Sequence, residues 1–398
     1  MIGHAACRKT FLLVLTLVLV ANRATACPFC EQLGQTLSET IADADFAAIG
    51  QLSDARQHPN ASAGQPTATT RLRLDHTLKA HPVATGKDEL LLSRYVARAA
   101  REPFEAVVLA EVIDDQVEPH RVMPAEERVY VDYVTAAVKK SVKPDAERLT
   151  FFFEQLGSPD SRIATDAYKE FSKTPYLAVK SAAASYDPQQ LRKWMENPET
   201  PTFRLGLYGL LLGIHGRPED APFLRKLIFD PKHRPRVGLD GIMAGYSLLL
   251  PKEGVDDLLA LLANPKETFN AHYSALEAIR FLIGESTDQE RRRLLDGVSR
   301  ALVSADIADL VIDELRKNQQ WQFLDDVLAR FDDPDYQRPV IRQAILRFAL
   351  QAPGEKAASF VKTQRDADPR LVADVEEGLR FEKVLLEQFG PKVKQGGT

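Results

Sequence analysis

Apolar residues change their period along the chain, and each change marks a boundary. Residues 11–21 (FLLVLTLVLVA) form one unbroken apolar run. Between residues 33 and 113 short stretches read as a small mixed unit. Leu33, Leu37 and Ile41 at helical spacing predict a short helix, and Phe46–Leu52 predicts a strand. Thr70–Asp75 alternates strictly, with Leu72 and Leu74 on one face and Arg71, Arg73 and Asp75 on the other, which predicts a half-buried strand. Glu89–Leu92 and Ala106–Ala110 complete four strands, the last extending toward Val112 and Ile113. The loop between the first two, Gln57–Pro66, is rich in Asn, Ser, Gly and Pro. Residues 126–140 predict a connecting helix that Pro144 closes.

From Asp145 the period becomes 3.6. Leu149, Phe152, Phe153 and Leu156 make one helical stripe, and Ile163, Ala164, Ala167, Tyr168 and Phe171 begin the next. Helices broken by proline continue to residue 389. Pro159, Pro198, Pro231, Pro265, Pro334 and Pro369 stand 39, 33, 34, 69 and 35 residues apart, a beat of about 35 with one unit unmarked. Ser304-Ala305-Asp306 takes the place of the missing proline. A finer repeat lies inside: Arg204-Leu-Gly206-Leu-Tyr-Gly209, running on to Gly213, returns 32 residues later as Arg236-Val-Gly238-Leu-Asp-Gly241, running on to Gly245. Glycine inside a helix costs up to about 1 kcal/mol relative to alanine, so these positions predict close helix packing, with a glycine-lined groove for an extended ligand as the alternative.

Charge and composition narrow the class. The 398 residues hold 51 Lys+Arg against 56 Asp+Glu, with 44% hydrophobic and 27% charged residues. That balance excludes collagen, low-complexity disorder and a disulfide-dense scaffold. A formal charge of −5 leaves no basic footprint for nucleic acid. Arg8 and Lys9 ahead of the run 11–21, and Ala24-Thr25-Ala26 behind it, read as a secretory signal cleaved between Ala26 and Cys27. The leader carries three bases and no acid, so the remainder is more negative still. No later run reaches membrane-spanning length. The expectation is export to the periplasm, cell envelope or exterior. A lipid anchor on Cys27 is the rival; Ala24 stands where lipoproteins usually carry leucine, so plain cleavage is the reading taken.

Cleavage would leave two cysteines, in Cys27-Pro28-Phe29-Cys30, and in an exported protein such a pair is expected to oxidise. So short a loop constrains little chain entropy. A local disulfide or tether is one reading. Thiol–disulfide exchange is another, since Cys-x-x-Cys with an internal proline resembles a thioredoxin-type site, although no strand precedes it. Metal chelation by the Cys27 amine and thiolate is the third, with half the usual zinc ligands. Covalent haem attachment fails because Glu31, not histidine, follows Cys30.

Two resemblances follow from these residues. The segment around Ser158-Pro159-Asp160-Ser161-Arg162-Ile163-Ala164-Thr165-Asp166-Ala167 resembles HEAT-type repeats, and the likeness runs over about 245 residues. Cys27/Cys30, Asp45–Leu52, Thr70–Lys79 and Glu89–Leu92 resemble the netrin-like, OB-type barrel module, without that family's further cysteines. In tissue inhibitors of metalloproteinases, which share that module, the mature N-terminal cysteine chelates a protease's metal; the resemblance would place that role on Cys27. The whole order is similar to a group of exported bacterial proteins that join a Cys-Pro-x-Cys start to helical repeats.

Elsewhere the chain offers little chemistry. His58, His76, His81, His120, His215, His233 and His272 form no His-x-x-x-His pair, and there is no G-x-S-x-G, Walker or G-x-G-x-x-G motif. Asp114-Asp115 and Glu126-Glu127 are candidate acids or calcium ligands but read as solvated pairs. Arg291-Arg292-Arg293 reads as a helix face balanced by Asp288 and Glu290, and Trp194 and Trp321 as core. The expectation is an α+β multidomain chain: signal peptide 1–26, small OB-like barrel 27–124, connecting helix and linker 125–144, all-α HEAT-like solenoid 145–389 and a disordered tail 390–398. Its function would be that of a non-catalytic scaffold for a protein or peptide partner, with no catalytic residue, metal or cofactor. A thiol oxidoreductase built on Cys27 and Cys30, or a metalloenzyme inhibitor acting through Cys27, are the alternatives.

Overall fold

The computed structural model describes residues 27–31, 33–62 and 64–389. The expected signal peptide 1–26, with its expected cleavage after Ala26, and the tail 390–398 lie outside the described residues. Helix α1 (Leu37–Asp43) starts later than the apolar spacing suggests, because Thr36 caps it reciprocally with Glu39 and leaves Leu33 outside. A five-stranded sheet follows, of β1 (Phe46–Gln57), β2 (Ala68–Lys79), β3 (Glu89–Leu92), β4 (Phe104–Ile113) and β5 (Gln116–Pro124). β1 pairs antiparallel with both β2 and β4, β2 with β3, and β4 with β5. A single parallel bridge, Leu92 to Val117, joins β3 to β5. Asp54, at φ 52°, sits where the β1–β2 register slips between Ser53 and Arg56, a bulge that bends β1 between its two partners.

β5 went unread in the sequence. Asp114 and Asp115, at φ 50° and 62°, form the two-residue turn that returns β4 into β5. Both central residues in the left-handed region define a type I′ hairpin, for which Asn-Gly or Asp-Gly is the usual signal. The acidic pair is a turn and not a ligand set.

The sheet has two buried sides. Phe46, Ala48, Leu52, Leu72, Leu92, Val108 and Val117 pack on each other inside it. Ala47, Ile49, Val107 and Leu109 alternate with them and pack outward, into the same core as the helices. β1 and β4 therefore read as near-continuous apolar runs, as strands covered on both faces do.

Helix α2 (Arg128–Ser141) leads into the helical region. It is more than a connection: Tyr130, Tyr133, Val134 and Ala137 bury one stripe of it against α1 and the following helix. After it come α3 (Asp145–Gln155), α4 (Ser161–Ser172), α5 (Tyr176–Ser181), α6 (Pro188–Glu196), α7 (Leu205–His215), α8 (Ala221–Phe229) and α9 (Leu239–Leu249). The row continues with α10 (Glu253–Leu262), α11 (Phe269–Glu285), α12 (Asp288–Ser299), α13 (Ala308–Lys317) and α14 (Leu324–Leu328). It ends with α15 (Pro339–Gln351), α16 (Glu355–Ala367) and α17 (Pro369–Phe389). Each of the six prolines that set the beat falls between helices or at a helix's first residue, where its missing N–H is harmless.

From α6 onward the helices pair as hairpins, and the second member of each stacks on its neighbours: α7 on α9, α9 on α11, α13 on α15, α15 on α17. Polar ties repeat at the same interval. Arg234 bonds Glu267 at 2.8 Å, His272 Nδ1 meets Asp306 at 3.0 Å, and Arg280 bonds Glu314 at 2.7 Å. Tyr336 donates to the Leu302 carbonyl at 2.6 Å and Arg347 bonds Asp313 at 3.0 Å. These partners lie 33 or 34 residues apart in the sequence, so one unit reaches the same place on the next. Asp306, in the stretch without a proline, closes the joint between α11 and α13.

The glycine repeat is resolved in favour of packing. Gly209 of α7 lies on Ile242 of α9, Gly213 lies on Gly245, and a Cβ added to Gly245 would overlap the Gly209 carbonyl. Gly378, inside α17, has open space around it. Gly245→Ala should therefore lower stability by about 1–3 kcal/mol through overpacking, whereas Gly378→Ala should raise it by up to about 1 kcal/mol. Thermal melts of the two variants check the contrast; equal shifts of one sign would refute the packing assignment.

Candidate functional site

Cys27 and Cys30 are joined by a disulfide. The tight turn they enclose, with Cys30 N–H directed to the Cys27 carbonyl at 3.4 Å, rests on the helical array. Pro28 faces outward while Phe29 is buried, its ring edge-on to Phe281 of α11 at 5.2 Å. Phe281 is in turn edge-on to Tyr176 of α5 at 4.8 Å. The Phe29 carbonyl lies over Gly206 of α7, where a side chain would crowd it. The Glu31 N–H donates to the Tyr168 hydroxyl of α4 at 2.8 Å. Thus one aromatic anchor and two main-chain contacts fix a short segment across α4, α5, α7 and α11. Burial pushes the Tyr176 hydroxyl up to about 12.

This setting bears on the chemistry of the pair. An attacking thiolate needs access and a stabilising helix N-terminus. Cys27 is 4% exposed, and the first helix begins only at Leu37. Among the described residues no group of three or more His, Cys, Asp or Glu side chains is placed to hold a metal ion.

A second constellation lies beside the first. Asp166 of α4 is buried and accepts from the Leu37 N–H through one oxygen and from the Tyr133 hydroxyl through the other, both at 2.6 Å. Three helices, α1, α2 and α4, meet on this carboxylate. Burial raises the pKa of Asp166 above the ordinary carboxylate range, against the pull of its two donors, and raises that of Tyr133 as well. A cleft of about 440 Å³ opens above, lined by Tyr130, Tyr133, Arg162, Asp166, Lys169 and Met123. Two of its charges, Arg162 and Lys169, are engaged, and Arg121 lies at the same cleft. Arg162 bonds Asp160, Glu127 and the Pro124 carbonyl and lies 4.0 Å over the Tyr130 ring, and Lys169 donates to the Gln35 carbonyl. The arrangement ties α1, α2, α4 and the end of β5 together.

The remaining sequence candidates are dispersed. Glu126 takes Arg98 in a two-pronged pair at 2.9 and 2.7 Å. Glu290 serves the capping box of α12, and Arg293 is paired with Asp256 of the preceding hairpin instead of with the acids of its own helix. His272 is fully buried, with Nε2 on the Asn264 carbonyl at 2.9 Å, and is a joint between units. His58 meets Thr69 at 2.8 Å and His233 meets Asp230 at 2.7 Å, far apart in the fold's order. Trp194 is half-buried against Phe153 and Tyr208, and Trp321 is half-buried on Phe348. Asp166 was missed in the sequence, because Arg162, Lys169 and Glu170 stand one turn away from it and the face reads as charged. A scan against protein-family models, a search of curated proteins and a search of solved structures each find nothing that matches this chain.

Phe29 should matter more to stability than the covalent link beside it. Phe29→Ala should cost about 3–5 kcal/mol, while reduction of Cys27–Cys30 should cost no more than about 2 kcal/mol for so short a loop. Urea unfolding with and without a dithiol reductant compares them, and a larger loss on reduction would reject the anchor.

Asp166 gives a pH prediction. Its folded pKa is raised, so the stability drawn from its proton is full below the ordinary 3.8 and is lost as pH climbs through the elevated value. Asp166→Asn cannot ionise but sets an amide N–H₂ against a donor. It should be less stable than the parent, with a deficit that narrows from about pH 4 to about pH 7. A deficit that widens over that range, read from urea midpoints, contradicts the assignment.

Proposed function

We propose that this protein is an exported, non-catalytic scaffold whose helical array holds a protein or peptide partner in the periplasm, cell envelope or exterior. The observation that carries the reading is the seat of residues 27–31. The array already holds a short turn of chain through a buried aromatic anchor and main-chain contacts, features that grooves also use to recognise peptides. The finer architecture belongs to the same proposal. The strand order β1-β2-β3-β5-β4, with β4 back on β1, supports an OB-type barrel for the sheet. The ties one unit apart support a HEAT-like solenoid for the helices. Among the described residues no helix is long and apolar enough to cross a membrane.

Two alternatives use the cysteines. A thiol oxidoreductase would attack through Cys27, and a metalloenzyme inhibitor would offer the Cys27 amine to a foreign metal. Both require that residue to leave its buried place, which favours the scaffold. The test places a photo-crosslinking amino acid at exposed array positions, Leu177 and Phe269, and at exposed sheet positions, Leu91 and Ile113. Discrete adducts from the array in cell-envelope fractions are expected. Adducts confined to the sheet, or disulfide-reductase activity that Cys27→Ser abolishes, would overturn the proposal.

A further inference from the structure

We propose that the outer side of α17 is a dimerisation surface, occupied by the same helix of a second copy of this chain. α17 has 21 residues and spans about 31 Å, whereas its neighbours α15 and α16 have 13 residues and span about 20 Å. Its inner side is embedded as far as Glu382: Val372 and Val375 are buried, and Glu382 receives the Arg316 guanidinium at 2.9 Å. Its second half carries an apolar outer side and ends past both neighbours. There Phe381 is 64% exposed, Val384 45%, Leu385 41% and Leu386 60%. Phe381, Val384 and Leu385 stand at i, i+3 and i+4 and make one stripe facing away from α15 and α16. Leu386 shares the side of Val375 but lies beyond the helices that cover it. Four large apolar side chains in six residues exceed the scattered exposed leucines of an ordinary surface.

Charge along the helix argues for a second copy. Arg380 and Glu387 lie one heptad apart on the same flank of the stripe. Arg380 has no acidic partner among the described residues, and the nearest base to Glu387 is Lys383 at 4.0 Å. An antiparallel pairing about a two-fold axis near Lys383 interleaves Phe381 with Val384 and Leu385 of the second copy. It also sets each Arg380 opposite the Glu387 of the other. A parallel pairing would carry these flanks to opposite sides of the contact and leave the two charges unmatched. Such self-complementarity is what an isologous two-fold contact demands. One helix from each copy gives an interface at the small end of the specific range, so the dimer is weak and concentration-dependent.

Sedimentation of the purified full chain from about 5 to about 200 µM tests this, with circular dichroism and melting as controls for folding. A monomer–dimer equilibrium is expected. Phe381→Glu with Leu385→Glu should leave a folded monomer, weakening association at least about tenfold. Arg380→Glu alone should weaken the dimer, and Arg380→Glu with Glu387→Arg should restore it. A wild-type monomer throughout, a dimer that survives the paired glutamates, or no restoration by the double reversal would each overturn the proposal. None of these outcomes bears on the scaffold reading, which is tested at other positions.

Discussion

The backbone contact between α7 and α9 constrains everything around it. Gly206, Gly209 and Gly213 on one helix, and Gly238, Gly241 and Gly245 on the other, bring the two backbones together with almost no side chain between them. Both helices are buried nearly all round: in α7 every residue from Gly206 to Gly213 is covered. Such helices have no solvent face and are stable only between neighbours, here α6 and α8 on one layer and α11 beyond. The stacking is therefore a condition of folding for each unit. The same close approach opens the place where the Phe29 carbonyl comes to rest on Gly206. A structural economy at the middle of the row thus makes room for the turn at residues 27–31.

That seat links the ends of the N-terminal region. Residues 27–31 touch α4, α5, α7 and α11, and a few residues later the Leu37 N–H and the Tyr133 hydroxyl converge on Asp166. Ala47, Ile49, Val107 and Leu109 then press the sheet onto the same core. The N-terminal region and the array thus share buried surface at residues 27–31, at Leu37 and along β1 and β4. The Cys27 turn packs directly on helices more than a hundred residues away in the sequence.

Much of this was legible because it follows from local pattern. The alternation at Thr70–Asp75, the stripe at Leu149–Leu156 and the proline beat each report a periodicity that folding must respect. The glycine repeat was legible as close packing because glycine inside a helix is costly without a steric reason. What stayed hidden depends on contacts across the fold. Asp114-Asp115 looks like a charged pair until its two positive φ angles are known. Leu33 fits a helical stripe, yet the Thr36–Glu39 capping box starts the helix after it. Asp166 is one acid among many until three helices converge on it. Nothing local to Cys-Pro-Phe-Cys says that its phenylalanine, more than its sulfurs, meets the rest of the chain.

The charged joints along the back of the array answer a problem that apolar packing leaves open. A stripe of leucines and alanines tolerates sliding by one helical turn, because its neighbours are chemically alike. Arg316, 5% exposed, ends that freedom by meeting Asp313 on its own helix, Gln351 at the end of α15 and Glu382 in α17. Desolvating such groups offsets much of what their attraction contributes, so their net effect on stability is small. Misplacing them is a different matter. A slipped α17 would take Glu382 from a buried guanidinium that keeps Asp313 and Gln351, at a cost of up to about 3 kcal/mol. Arg280 with Glu314, Arg234 with Glu267 and Arg347 with Asp313 impose the same condition one unit after another. The apolar stripes make the hairpins stack; the ion pairs decide in which register they stop.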